Sequence, residues 1–460
     1  MNYCKYTLFL MTFLVSAVSL NAAAEAATYN LRADTATIAM ADGTTVTVWG
    51  FADDTTVGAG NGAVTVPGPK LTAAPGEAVT INVTNRLPVP VSLVFPGQPL
   101  AITPNALNTA TSPNYDAAKP SGNVSVNPYF GFTPGPFPNK LRVRSFTTEA
   151  AANGGTASYS FTAKEGTYLY ESGTNPAIQI PLGLYGALIV GPAGDSGTAY
   201  SGSAATTFNH QEVLLFSTIL ARYDFANKRF VTLNEDVAAA PTTSRTLLDY
   251  RALYYLINGK SFPETIKPGP YAPYGTNGKT LLRLINAGND SVVPAIQGNY
   301  MDSADPAVAK GHAVYPSVIA EDGNLLTYPR NEIAPNLTAG KTLDVMIDLT
   351  KAATPGYYSI YDRRLGLTNA GKFPGGMLTF LASWDQATQN CSPLKGSANN
   401  DGNVTLIDVV KALRIVVAGG YDASYDVTPL STSGLPCGDG ALTVADALIL
   451  LKKAIGLNPY

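Results

Sequence analysis

Through most of the chain, apolar and polar residues alternate in short runs. Thr45-Val46-Thr47-Val48-Trp49-Gly50 and Ala78-Val79-Thr80-Ile81-Asn82-Val83-Thr84-Asn85 have the period of two expected of half-buried strands. Asp42-Gly43, between Thr35–Met40 and Thr45–Gly50, predicts a tight turn joining two strands. The polar, Gly- and Pro-rich stretch from Gly97 to Gly155 predicts surface connections. Beyond residue 391 the period changes. Val410, Leu413 and Val417 recur at helical spacing, as do Leu448, Leu451 and Ile455, which predicts helices over 406–418 and 444–455. Thr405 and Thr443 are suited to cap them, each with an aspartate three positions on, and Gly419 and Gly456 are suited to stop them. The pattern predicts a mainly β chain that ends in a small helical pair.

Composition sharpens this. The 460 residues are 45% hydrophobic and only 14% charged, with 43 Gly and 33 Pro, which suits a turn-rich β protein and excludes a disordered chain or a helical bundle. Length allows two or three domains. A net charge of −3 without any basic block excludes a nucleic-acid footprint. At the start, Lys5 precedes the apolar run Leu8–Leu20 and the small residues Ala22–Ala27, which reads as a signal peptide over residues 1–26. The expected destination is the periplasm, the cell surface or the medium, with no membrane span in the mature chain. Cys391 and Cys437 then form an even pair, expected as a disulfide in an exported protein, with two free thiols as the alternative.

Several short segments follow one another in a familiar order. Val66-Pro67-Gly68-Pro69, Pro75-Gly76-Glu77 and Thr84-Asn85-Arg86-Leu87 lead to Val94-Phe95-Pro96-Gly97. Later come Glu165-Gly166-Thr167-Tyr168-Leu169-Tyr170-Glu171-Ser172-Gly173 and Pro181–Pro192. Tyr254–Lys260, Leu281–Gly288, Val318–Gly323 and Thr338–Val345 continue the series. Together they resemble the multicopper oxidases. The resemblance implies two cupredoxin-like Greek-key β-sandwich domains, over 28–194 and 205–388. It also implies histidine ligands to a copper cluster at four positions of the first domain, which here hold Val94, Pro96, Glu171 and Gly173. For the family's type 1 copper no cysteine exists between Cys4 and Cys391. Tyr358–Arg364 stands where His-Cys-His is expected, and Met377, in the place of an axial methionine, reads as core packing. The only histidines are His210 and His312, both read as ordinary hydrogen-bonded imidazoles. Copper is therefore not expected, and Glu171 alone reads as a solvated or hydrogen-bonded carboxylate at a strand end.

No other catalytic pattern stands out. There is no Gly-x-Ser-x-Gly elbow and no P-loop, and the adjacent Asp53 and Asp54 would point to opposite faces of a strand. The positive signal lies over 391–460. Ser397, Asn399, Asp401, Asn403, Thr405 and Asp408, with Gly402 at the sharp turn, fit the oxygen-ligand spacing of an EF-hand-like loop. Asp426, Thr428, Asp439 and Asp446 fit a second loop interrupted by an insertion. The tandem loop–helix pattern resembles dockerin type I modules, which implies calcium as cofactor and a cohesin-like or other extracellular protein as partner. The bland alternative is a helical hairpin with Asx-type turns at its helix starts.

The preferred reading is a secreted, non-catalytic cupredoxin scaffold with a calcium-binding module for docking or stabilisation. Two alternatives stand beside it: a copper-dependent oxidoreductase with an altered site, and a module that binds extracellular polysaccharide or a surface protein.

Overall fold

A computed structural model describes residues 26–100, 145–192, 194, 196–240, 247–266, 274–275, 279–296, 316–348, 356–383, 396–397, 403–422, 424–428, 436 and 442–457. The signal segment, His312, Asn399, Asp401, Asp439, Cys391 and Cys437 lie outside the described residues.

The first half contributes β1 (Ala27–Ala39), β2 (Thr45–Asp53), β3 (Leu71–Ala73), β4 (Ala78–Asn85), β5 (Leu93–Val94), β6 (Gly155–Thr162), β7 (Gly166–Ser172), helix α1 (Pro176–Leu182) and β8 (Tyr185–Val190). One sheet has the order β2-β1-β4-β6 and the other β3-β8-β7-β5. Between them lies a core that includes Leu31, Phe51, Ile81, Phe161, Tyr170 and Leu188.

β9 (Gly197–Thr198) and β10 (Thr207–Phe208) bridge to the second half. There follow β11 (His210–Asp224), β12 (Arg229–Thr232), α2 (Leu233–Ala239), β13 (Arg251–Ile257), β14 (Tyr274–Gly275), β15 (Lys279–Asn286), β16 (Pro294–Ile296), β17 (Ser317–Glu321), β18 (Asn324–Asn331), β19 (Thr342–Asp348), β20 (Gly356–Asp362) and β21 (Leu378–Ser383). The larger sheet runs β12-β11-β15-β19-β17-β18 with β13 also on β11, and the smaller runs β14-β21-β20-β16. Phe216, Leu284, Val345, Ile360, Met377 and Leu381 lie in their shared core, so Met377 is core packing, as its sequence context predicts.

The two halves repeat one construction. β1 lies parallel to β4, and β11 parallel to β15. Asn85 ends β4, and its amide donates to the carbonyls of Val89 and Ala150 while its oxygen accepts from Leu87 N–H. Asn286 ends β15 and does the same with Asp290, Leu337 and Gly288. Both asparagines are buried, and each pairs loop backbone that would otherwise be orphaned.

Several strands bury both faces. Trp49 and Phe51 of β2 face the first core, whereas Val46 and Val48 face a second cluster with Leu169, Tyr185, Leu215, Ile219, Tyr254 and Ile285. That cluster is the seam between the halves, and strands covered on both faces read as near-continuous apolar runs.

At the C-terminus α3 (Leu406–Val417) and α4 (Val444–Ala454) pack on each other through Val409, Ala412 and Leu450, with Tyr425, Val427 and Leu442. Both start one residue after the predicted threonine caps. No helix among the described residues is long and apolar enough to cross a membrane.

Candidate functional site

The antiparallel pairing of β5 with β7 sets Leu93 opposite Ser172 and Val94 opposite Glu171. Gly173 N–H donates to the Ser92 carbonyl at 3.2 Å, which carries the register one step further. Three of the four predicted positions thus meet at one sheet edge. Pro96, the fourth, lines a cavity of about 410 Å³ with Gly97, Tyr168, Asp322, Gly340 and Lys341, where the first half meets the β17–β18 turn and β19.

This edge is closely packed. Val94 is buried. A Cβ added to Gly173 would lie 2.7 Å from Val94 Cγ1 and 2.9 Å from Ser92 Oγ, so no side chain enters there without a shift. Behind it is a buried hydroxyl network. Ser92 Oγ is 2.9 Å from Ser145 Oγ, and Thr174 Oγ1 is 3.0 Å from Ser92 Oγ and 3.0 Å from Glu149 Oε1. Ser172 donates to Gln179 at 2.6 Å, and Gln179 in turn donates to the Pro90 carbonyl at 2.9 Å. Each hydroxyl finds a partner inside the protein, as buried polar groups require.

Glu171 differs from its expectation. Its side chain is half-buried, and its carboxyl accepts no hydrogen bond among the described residues. Its strand neighbours Val94 and Tyr185 are buried too, and desolvation pushes its carboxyl up to about 7. Copper asks for imidazole or thiolate. An alkyl group, a pyrrolidine, a glycine and one partly protonated carboxylate do not supply them, so these residues do not fit the copper cluster that the resemblance implies.

The other sequence candidates are structural. His210 is buried on β11 with Nε2 3.0 Å from Glu212 Oε1. Asp54 is buried and accepts from Arg32 Nε at 3.1 Å and from the amides of Gly60 and Gly62 at 2.7 and 2.8 Å. Burial alone would raise its carboxyl, but these donors outweigh that and hold it below the usual range. Sequence reading missed a buried ion pair at the seam, Arg283 with Asp344. The available signal was a charged residue in each of the apolar runs Leu281–Ile285 and Leu343–Ile347.

In the helical module, Thr405 N–H and Oγ1 both reach Asp408 Oδ2, at 3.0 and 2.6 Å. Thr443 repeats this with Asp446 Oδ2, at 2.8 Å for both atoms. Asp446 Oδ1 also accepts from Val427 N–H, Thr428 N–H and Thr428 Oγ1 at 3.0, 2.8 and 2.7 Å. Asp426 Oδ2 accepts from the Tyr421 hydroxyl at 2.9 Å. Gly396 N–H donates to the Ser424 carbonyl, which brings the buried Ser397 toward the second loop. Ser397, Asn403, Thr405, Asp408, Asp426, Thr428 and Asp446 thus stand in one oxygen-rich module. Oxygen atoms are what a hard cation takes as ligands, but protein donors already engage both oxygens of Asp446. Among the described residues no three carboxylate, imidazole or thiolate side chains converge on one point.

No family model matches the sequence, and no curated protein matches it. Solved structures do resemble it. A blue copper oxidase from Nitrosomonas europaea is 21% identical, with 78% of this chain and 86% of that chain covered at a TM-score of 0.51. A multicopper oxidase named mgLAC is 20% identical over 77% of this chain and 85% of that one, at 0.49. A copper nitrite reductase, also from Nitrosomonas europaea, is 16% identical over 82% and 99%, at 0.46. At such identity the likeness speaks of fold and not of activity. The chain is a mainly β protein with the cupredoxin-like fold of the Nitrosomonas europaea blue copper oxidase.

Proposed function

We propose that this chain is an exported, non-catalytic cupredoxin scaffold, with sandwiches over 28–194 and 205–388 and a calcium-binding helical module over 391–460. The observation that carries the reading is the filled edge at Gly173. Val94 and Ser92 occupy the volume that a side chain at 173 would need, and a hydroxyl network replaces metal donors behind it. Two copies of a capping aspartate beside loops rich in Asn, Asp, Ser and Thr support calcium, which takes oxygen ligands. A cohesin-like or other extracellular protein is the partner class that the module suggests.

Metal analysis of the mature protein after expression with copper and calcium supplied tests both halves of the proposal. Calcium without stoichiometric copper is the expected result. One or more coppers per chain, with a blue or near-ultraviolet charge-transfer band, would overturn the scaffold reading in favour of a copper oxidoreductase. Absence of calcium binding by calorimetry would overturn the reading of the module.

A further inference from the structure

The hairpin formed by β11 and β12 carries three aromatic side chains at its tip. Tyr223 and Phe230 are directly opposed across the strands, and Phe225 sits in the turn. Tyr223 meets Phe225 and Phe230 edge to face, with ring centroids 4.9 and 5.3 Å away. Phe225 is nonetheless 84% exposed, Phe230 52% and Tyr223 41%. Single exposed rings are ordinary on a surface, but three in mutual contact make a contiguous apolar patch of the kind that marks interaction sites.

Hydrogen bonds and ion pairs brace the display. Asp224 accepts from the amides of Ala226 and Asn227 and from Asn227 Nδ2, at 3.0, 3.2 and 2.8 Å, which fixes the turn. Arg222 forks onto Asp236 of α2 at 2.6 and 3.0 Å, and Arg229 forks onto Glu235 at 3.1 and 2.5 Å. Successive strand residues point to opposite faces. Arg222 therefore ties one face of the ribbon to α2, and Tyr223 and Phe230 stand on the other. Little entropy is left to lose when a ligand arrives.

The surroundings select the ligand class. Both arginines are paired with carboxylates of α2, and the two other charges of the tip, Asp224 and the exposed Lys228, are of opposite sign, so the patch is aromatic without net charge. An anionic lipid surface would call for a cluster of unpaired Lys and Arg, and the tip offers Lys228 beside the opposite charge of Asp224. A protein that docks by strand addition would call for a long free edge, and β12 has four residues. A pyranose chain presents C–H faces, which suit the electron-rich faces of aromatic rings. Its hydroxyls remain hydrogen-bonded to water or to the polar turn.

We propose that the Tyr223–Phe225–Phe230 tip is a stacking site for an extracellular neutral polysaccharide. It is independent of whether the cupredoxin core binds copper or the module binds calcium. The test is affinity electrophoresis of the full mature protein through native gels containing hydroxyethylcellulose, xylan or dextran, with alginate as the polyanionic control. Retardation is expected in at least one neutral gel, with affinity reduced at least tenfold in Phe225→Ala/Phe230→Ala and kept near wild type in the conservative Phe225→Trp. Unchanged thermal melting of the variants verifies that their fold is intact; if the double variant melts early, the exposed Phe225→Ala alone is read. Equal mobility in all neutral gels overturns the proposal, as does retardation that the variants retain or that only alginate produces. Self-association abolished by Phe225→Ala, without retardation, would instead assign the tip to a second copy of the chain and also overturn it.

Discussion

Thr167 on β7 donates its hydroxyl proton to Asp344 Oδ1 on β19 at 2.5 Å, and so ties the first half of the chain to the second. Arg283 on β15 reaches both, with Nη1 2.8 Å from Thr167 Oγ1 and 3.4 Å from Asp344 Oδ2. Tyr200 closes the other side of the carboxylate with a 2.5 Å hydrogen bond to Oδ2. Burial and then the charge of Asp344 push the Tyr200 phenol well above its ordinary range, so it remains a donor. All four side chains are buried. A buried charge must be paired or it destabilises the fold, so this network makes the relative placement of β7, β15 and β19 specific.

Removing one member should therefore cost more than removing the pair. Asp344→Ala leaves Arg283 buried without its counter-ion and is expected to destabilise by about 3–5 kcal/mol. Arg283→Met combined with Asp344→Leu removes both charges and should recover much of that loss. Chemical denaturation of the two variants checks this. A single variant that unfolds at the wild-type midpoint would show that the seam opens to water.

The filled edge makes its own prediction. Gly173→Ala forces a Cβ against Val94 Cγ1 at 2.7 Å and Ser92 Oγ at 2.9 Å, and overpacking of this kind costs about 1–3 kcal/mol. Val94→Ala removes the nearer obstacle, so the double variant should be more stable than the sum of the singles predicts. A double-mutant cycle by thermal melting measures the coupling. Strict additivity would mean that Gly173 relaxes away from Val94.

The strands and the two helices were legible because their signals are local. Period-two alternation in β4 and the Thr-x-x-Asp starts of α3 and α4 need no tertiary information. The β5–β7 edge was legible only through resemblance, since β5 is two residues long and no pattern marks it. What Glu171 does was not legible. A lone glutamate is usually solvated, and only the pairing with Val94 and Tyr185 shows that this one is half-buried. The seam network escaped for the same reason. Arg283 and Asp344 are 61 residues apart, and Thr167 lies on another sheet. The aromatic tip was hidden because no local pattern marks Tyr223, Phe225 and Phe230, which meet only once the turn at Asp224 brings them together.

Glu171 should make stability fall as pH rises. Its folded pKa is raised from 4.5 to about 7 by desolvation. Between those values the unfolded chain gives up the proton and the folded chain keeps it, so unfolding is increasingly favoured. The loss is absent below about pH 4.5 and complete above about pH 7, and amounts to at most about 3 kcal/mol. Glu171→Gln removes the titration. It should be more stable than wild type at pH 8 and similar at pH 4.5. Melting curves of both proteins across this range check it, and parallel curves would mean that the carboxylate is solvated.

Two aspartates of the helical module should respond differently to calcium. Asp446 accepts five hydrogen bonds from Val427, Thr428 and Thr443, and these bonds involve no metal. Asp446→Ala strips the cap of α4 and leaves buried amides unpaired, so it should cost at least about 2 kcal/mol even in EDTA. Asp401 belongs to the proposed loop by its spacing, as the fifth position before the Gly402 turn. Asp401→Ala should be nearly neutral in EDTA and should abolish most of the stabilisation that millimolar calcium gives the wild type. Amide hydrogen exchange of α3 and α4, with and without calcium, reads both variants directly. If calcium leaves wild-type protection unchanged, the paired loops are capped turns and nothing more. If Asp401→Ala is as damaging in EDTA as in calcium, Asp401 holds the loop by hydrogen bonds, as Asp446 does.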